Sequence, residues 1–396
     1  MRTFKALLLI FCISFAATST ATANVPIQFS FTGSGYGHGV GMSQIGAKAR
    51  ALSGESATAI LNYYYKNVQI APIVDTQTIR VNIGRALKTM SFVSATPDST
   101  IQIFSGDIAS AQDVLPIMTL GAKKKMTFNV DGAFAAGEGL RAKAFTIRWS
   151  GPATVITFSQ PGSAVKYRYG QIQVKVVKGA MEVTNTLALR DEYLWGISEV
   201  PSSWPAAALE AQVIASRSYA LSKLGKINSA CDCQVYSHIA DQNFVGFSKE
   251  SEPRFGQLWK AAVSRTIIDT STSLAILSNG KPIQAYFFSS SGGATQTTLD
   301  AWGQATSYTQ SVVDPAGLDP KNNPRFATWS ASADQALVAS AFLLADIVTL
   351  EIMSRNTAGA VTYIKGTASD GSTKLLRGDT FRSRVKSPSP YFNLAG

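Results

Sequence analysis

Charge is scarce in this chain. Only 15% of its 396 residues are Asp, Glu, Lys or Arg, and histidine occurs twice, at His38 and His238. With 45% apolar residues, that composition excludes a disordered polyelectrolyte and supplies a real core. The 31 Gly and 15 Pro show no collagen-like period. No run of basic residues exceeds Lys123-Lys124-Lys125, and no zinc-finger or RNP-like pattern occurs, so nucleic acid is not an expected partner. A Gly-x-Ser-x-Gly elbow is absent, which argues against a serine hydrolase. No internal repeat and no low-complexity linker is visible.

What charge there is leans basic: 36 Lys and Arg against 25 Asp and Glu, a net +11. Such an excess is either a solvated surface or a match for an anionic polymer. The N-terminus reads as an export leader. Met1-Arg2-Thr3-Phe4-Lys5 is a positive start, Ala6 to Ala17 is apolar, and Ala21-Thr22-Ala23 is a cleavage signal. The apolar stretch is too short to span a bilayer, and no later stretch comes near that length, so no membrane span is expected after cleavage. The expected location is secreted: periplasmic or associated with the cell wall. Cys12 leaves with the leader. Cys231 and Cys233 remain, one residue apart. They read as ordinary thiols, a strained disulfide, an intermolecular pair, or part of a metal site with His238. Three donors fall short of a closed zinc site, so no cofactor is expected.

The patterning divides the chain into a leader (1–23), a glycine-histidine module (24–75), a β-rich part (76–190), a helical and Ser/Gly-strand part (191–315) and an α/β completion (316–396). In the first module, helices are expected over Met42 to Leu52 and after Ser56, with Ile60, Leu61, Tyr64 and Tyr65 on one side. Alternation marks strands at Thr78 to Ile83, Gln171 to Val177 and Met181 to Leu189. Pro205 opens a helix through Leu224. Asn279-Gly280 turns a hairpin into a strand over Ile283 to Ser289. Ser332 is an expected N-cap for a helix to Leu344, and the chain ends in a polar tail. The class is α+β: an antiparallel β core, barrel- or sandwich-like, with a few packed helices.

Four motifs could carry chemistry. Gly33 to Gly41 places glycine at every second position and leads into His38, Ser43 and Gln44. It lacks the Gly-Lys-Ser/Thr ending of a phosphate loop, and reads as a packing turn or as a loop approaching a polymer. In Tyr193-Leu194-Trp195-Gly196-Ile197-Ser198-Glu199, a lone acid sits in an apolar, aromatic run. Apolar surroundings raise a carboxyl pKa, as a general acid at neutral pH requires. Gln212, Ser216 and Tyr219 share one helical side, with Arg217 beside them. Ser289, Ser290 and Ser291 follow an apolar strand and precede Gly292-Gly293.

Together these motifs resemble the SpoIID/LytB family of bacterial cell-wall proteins. The resemblance rests on Tyr193-Leu194-x-Gly196-Ile197-x-Glu199, Trp204-Pro205 with Arg217-Ser218-Tyr219-Ala220, Cys233-Gln234-Val235-Tyr236, Phe288 to Gly293, and Tyr36 to Gln44. It implies a SpoIID-like fold and a lytic transglycosylase that cuts peptidoglycan between MurNAc and GlcNAc, with Glu199 as a single acid/base. His38, Ser43, Gln44, Gln212, Arg217, Tyr219, Ser289, Ser290 and Ser291 would hold the sugars. LytB-type members are described as enhancers of a wall amidase, so a non-catalytic wall-binding role is the alternative. Two departures stand out. In the SpoIID members of this family, the glycine-histidine module follows the serine-glycine strand, whereas here it comes first. Some members bind zinc near Cys231 and Cys233, but here the spacing is shortened.

Overall fold

The computed structural model describes residues 25–395 apart from Ala95, Ala111 and Pro152. The leader and Cys12 therefore lie outside the described residues. Strands dominate, because β-branched and aromatic residues alternate with polar ones through the middle of the chain. A seven-stranded sheet runs in the order Val235–Tyr236, Thr78–Leu87, Ala180–Ala188, Gln171–Val177, Ala144–Ser150, Thr100–Ser105, Met118–Gly121. A six-stranded sheet runs Leu140–Ala142, Phe134–Gly137, Lys125–Asp131, Thr89–Ser94, Ile156–Gln160, Ser163–Tyr167. Their inward residues share one apolar cluster, with Phe128 and Phe145 rings 4.8 Å apart between the sheets. The core is a sandwich, and among the described residues no sheet closes into a barrel.

Helices α1 (Gln44–Leu52) and α2 (Ala57–Tyr64) start where serine can cap them. Ser43 and Ser56 accept from the N–H groups of Gly46 and Ala59. Helix α3 (Ala206–Lys223) begins after Pro205 and is buried along most of its length. Leu209, Val213 and Ala220 pack on the sandwich. Ala211, Ile214 and Ala215 pack on Ile60, Leu61 and Tyr64 of α2 and on Ile276. Covered on both sides, α3 must satisfy its polar side chains internally. The Arg217 Nε lies 3.1 Å from Asp75 Oδ2, both side chains fully buried. Its Nη1 donates to Thr266 Oγ1 and the Leu274 carbonyl.

A third unit joins distant parts of the chain. Strand Gln28–Gly33 lies between Trp329–Asp334 and Phe392–Ala395, antiparallel to both. Phe31, Phe342, Phe381 and Phe392 fill its core. The polar tail ends in a strand that completes a sheet, with Phe392 turned inward. Two local expectations are corrected here. Ser332 caps nothing, because it sits inside Trp329–Asp334 and the helix Gln335–Phe342 starts later. The expected Ile283 to Ser289 strand shrinks to Phe287–Phe288. The remnant pairs in parallel with Met42–Ser43, Met42 N donating to the Tyr286 carbonyl, which also accepts from Tyr65 Oη. Among the described residues, no helix is long and apolar enough to cross a membrane.

Arg217→Met should strand the Asp75 carboxylate in the interior and cost about 3 kcal/mol. Urea denaturation measures this. A loss under ~1 kcal/mol would mean that Asp75 reaches water.

Candidate functional site

Strand Ala180–Ala188 ends in one wide helical turn, Leu189–Tyr193, after which the chain reverses at Gly196. A Cβ on Gly196 would fall 2.4 Å from the Phe244 ring, so glycine alone lets the two segments close. They then bond side by side. Ser198 N donates to the Asn243 carbonyl and Val245 N to the Gly196 carbonyl, each at 2.8 Å. The Asn243 Nδ2 donates to the Ser198 carbonyl at 2.8 Å. The Lys249 Nζ donates to the Val200 carbonyl at 2.7 Å. Glu199, framed by these bonds, accepts from Asn243 N through Oε1 at 2.6 Å.

Glu199 lines a cleft of about 780 Å³ between this reversal and the edge strand Ser163–Tyr167. Gln160, Ser163, Tyr167 and Ser237 share the lining, with Lys249 and Glu252 further along. Burial pushes the Glu199 carboxyl above its ordinary value near 4.5, and the Asn243 N–H bond pulls back against that. Its other oxygen, Oε2, carries no hydrogen bond among the described residues. The group therefore combines a raised pKa, one fixed oxygen and access to a polar cleft. That combination suits proton transfer. Glu252 puts a second carboxylate in the same cleft, held by the Ser202 hydroxyl at 2.7 Å.

The glycine-rich loop comes to this region despite its place in the sequence. Tyr36 bridges to Ser290 and Val40 to Gln296, while Met42–Ser43 pairs in parallel with Phe287–Phe288. Gly41 has a positive φ, and a Cβ there would fall 2.0 Å from the Tyr286 carbonyl. The closeness of these backbones is what the glycines provide. Gln44 then reaches across α3. Its Nε2 donates to Gln212 Oε1 at 3.2 Å and lies 3.4 Å from the Glu199 carbonyl. Gln212 in turn donates to Ser216 Oγ at 3.1 Å.

The sequence candidates thus separate. Glu199 lines the large cleft, and Gln44 and Gln212 brace it from behind. His38 and Tyr219 line a second, smaller cleft of about 220 Å³. His38 Nδ1 accepts from Val40 N at 3.1 Å, and burial of the ring drives its pKa down to about 4. The other candidates line neither cleft. Ser43 caps α1. The Ser291 hydroxyl donates to Asp314 Oδ2 at 2.7 Å, and Ser290 is fully buried. Ser289 offers its carbonyl to Ile45 N. Arg217, expected to hold sugar, is instead the interior partner of Asp75. Sequence reading missed Asn243, Lys249, Glu252 and Tyr167. They come from a loop, a short helix and an edge strand with no motif of their own.

The cysteines are joined to each other as Cys231–Cys233. Arg80 and Lys175 both pair with the intervening Asp232. A disulfide leaves neither sulfur as a thiolate, and His238 Nδ1 accepts from Ala240 N at 3.3 Å. This donor set does not fit zinc.

Residues 177–271 match the family model described as SpoIID, stage II sporulation protein. That segment is similar to a SpoIID domain. The match contains Glu199, Gly196, α3 and Asn243. A Stage II sporulation protein D from Bacillus subtilis (strain 168) is 30% identical over 151 residues, 36% of this chain and 43% of that protein. Its namesake from Bacillus amyloliquefaciens is 27% identical over 206 residues, 49% and 57% of the two chains. An Amidase enhancer from Bacillus subtilis (strain 168) is 47% identical over 111 residues, 28% of this chain and 13% of that protein. The chain spans about half the length of the sporulation relatives it matches. No solved structure matches it.

The raised Glu199 pKa has a signed consequence. Above that raised value the folded protein must hold a disfavoured carboxylate; below about 4.5 both folded and unfolded chains are protonated. Glu199→Gln removes the cost, so the variant should melt higher than the parent at pH 7. The gap should vanish below pH ~4.5. Paired melting curves across pH check this, and a gap independent of pH would contradict it.

Proposed function

We propose that this chain is an exported cell-wall enzyme that cleaves peptidoglycan glycan strands between MurNAc and GlcNAc. The observation that carries the reading is Glu199 itself: a carboxyl whose neutral form is favoured by burial, lining an open polar cleft. Protonated Glu199 gives its proton to the glycosidic oxygen as the C1–O bond breaks. The muramic C6 hydroxyl attacks its own C1 and closes a 1,6-anhydro ring. The hydroxyl proton returns to Glu199. One carboxyl serves both steps, so no water nucleophile enters. Asn243 N–H holds Oε1, which leaves Oε2 for the transfer. Gln160, Ser163 and Ser237 line the same cleft and would meet sugar hydroxyls and N-acetyl groups. The basic excess of the chain suits an anionic wall.

Two competing readings each have an observation behind them. Glu252 in the same cleft favours hydrolysis through a water, which uses two carboxylates. The relative named Amidase enhancer favours a module that binds wall and stimulates an amidase.

Mass spectrometry of products from glycan strands stripped of stem peptides separates them. Anhydro ends are expected. Reducing ends would mean hydrolysis, and no products would mean the binding module. Glu199→Gln should slow cleavage by ~10²–10⁴-fold without unfolding the protein. Wild-type turnover in that variant would remove Glu199 from catalysis.

A further inference from the structure

The smaller cleft is not explained by the Glu199 chemistry. It is walled by rings: His38, Tyr219, Tyr286 and Trp302, with Asp241 and Lys223 at its rim. The Trp302 ring stands 4.8 Å from Tyr286 and 5.3 Å from His38. These rings are fixed from several directions. The Trp302 Nε1 donates to Asp379 Oδ2 at 3.0 Å, on the helix Gly378–Val385. Tyr219 donates to Asp241 Oδ1 at 2.6 Å, and Asp241 Oδ2 accepts from Tyr236 N. His38, neutral and bonded to Val40 N, is an aromatic wall and not a cation.

The loop 237–243 is the ridge between the two clefts. Ser237 and Asn243 face the Glu199 side, while Ala240 and Asp241 face the aromatic side. Its crest is Ile239, 99% exposed. A bare isoleucine there would contact the apolar C–H face of anything laid across the ridge.

We propose that the aromatic cleft is a second sugar subsite, which takes one further ring of the glycan strand whose cleaved bond lies at Glu199. Rings with a carboxylate and an ammonium at the rim match a pyranose: an apolar face and a polar edge. At about 220 Å³ the cleft is smaller than the ~300–1,000 Å³ that drug-sized ligands fill, which suits a single ring. This rests on the glycan reading above. It adds a length requirement: strands long enough to cross the ridge bind more tightly than a single disaccharide.

The test uses the full Glu199→Gln chain, so that no strand is consumed, with purified wall glycan fragments of one disaccharide and of several. Binding is titrated by tryptophan emission and by calorimetry. Longer fragments should bind about tenfold tighter than one disaccharide. They should shift an emission component that Trp302→Phe removes. Tyr286→Leu should lose the tenfold gain, whereas Tyr286→Phe, which keeps the ring, should retain it. An undiminished length gain in Tyr286→Leu overturns the subsite, even if the wild-type chain makes anhydro products. A Trp302 response to glycan from a wild-type chain that cleaves nothing would support the subsite while removing the catalytic reading. No Trp302 response to any fragment overturns the proposal.

Discussion

A helix covered on both sides has nowhere to send its polar groups. That constraint on α3 organises the rest of the molecule. The Arg217 charge is closed by Asp75, which pins the segment before strand Thr78–Leu87. Ser218 donates to the Ile214 carbonyl and accepts from Ile276 N, tying α3 to the Thr272–Ser278 strand. Gln212 is met by Gln44, which brings the glycine-rich module to the Glu199 turn. Of these, the Gln212–Gln44 bond lies beside the Glu199 turn.

The glycine-rich module is held by backbone contacts as well. Glycines at alternate positions let the Gly33 to Gly41 loop lie against the Tyr286 to Ser291 segment at backbone contact distance. Such contact is made from either end of a chain, provided the loop reaches the groove. The matched SpoIID segment, 177–271, holds Glu199 and α3 but neither of the segments that abut them. The geometry shows those flanking segments as parts of the same packed unit.

Legibility in the sequence followed the range of the interactions. Strands Gln171–Val177 and Ala180–Ala188 and helices α1 to α3 were readable, since local period and caps dictate them. Glu199 stood out because a charge in an apolar run demands an explanation. Arg217 misled, because a buried cation and a ligand-binding cation look alike until the partner is seen, and Asp75 lies far away in sequence. Asn243 and Tyr167 gave no signal at all, since their contribution is positional. Phe392 was hidden in a stretch full of Pro and Ser, and its strand exists only because Gln28–Gly33 is there to receive it.

That last pairing also sets a timetable. Ser389 donates to the Ser34 carbonyl across 355 residues of sequence, and Gly37 N donates to the Pro388 carbonyl. A chain emerging from its N-terminus must hold Phe29 and Phe31 without their final neighbour until the last segment appears. At ~5–20 residues per second that wait is roughly 20–70 s. The loop carrying His38 is held at Gly37 by this late segment, and Trp302 is held by Asp379. Both contacts wait for residues 379–388 to be made. A form cut before residue 379 would therefore keep every residue that lines the Glu199 cleft and lose the supports of the aromatic one.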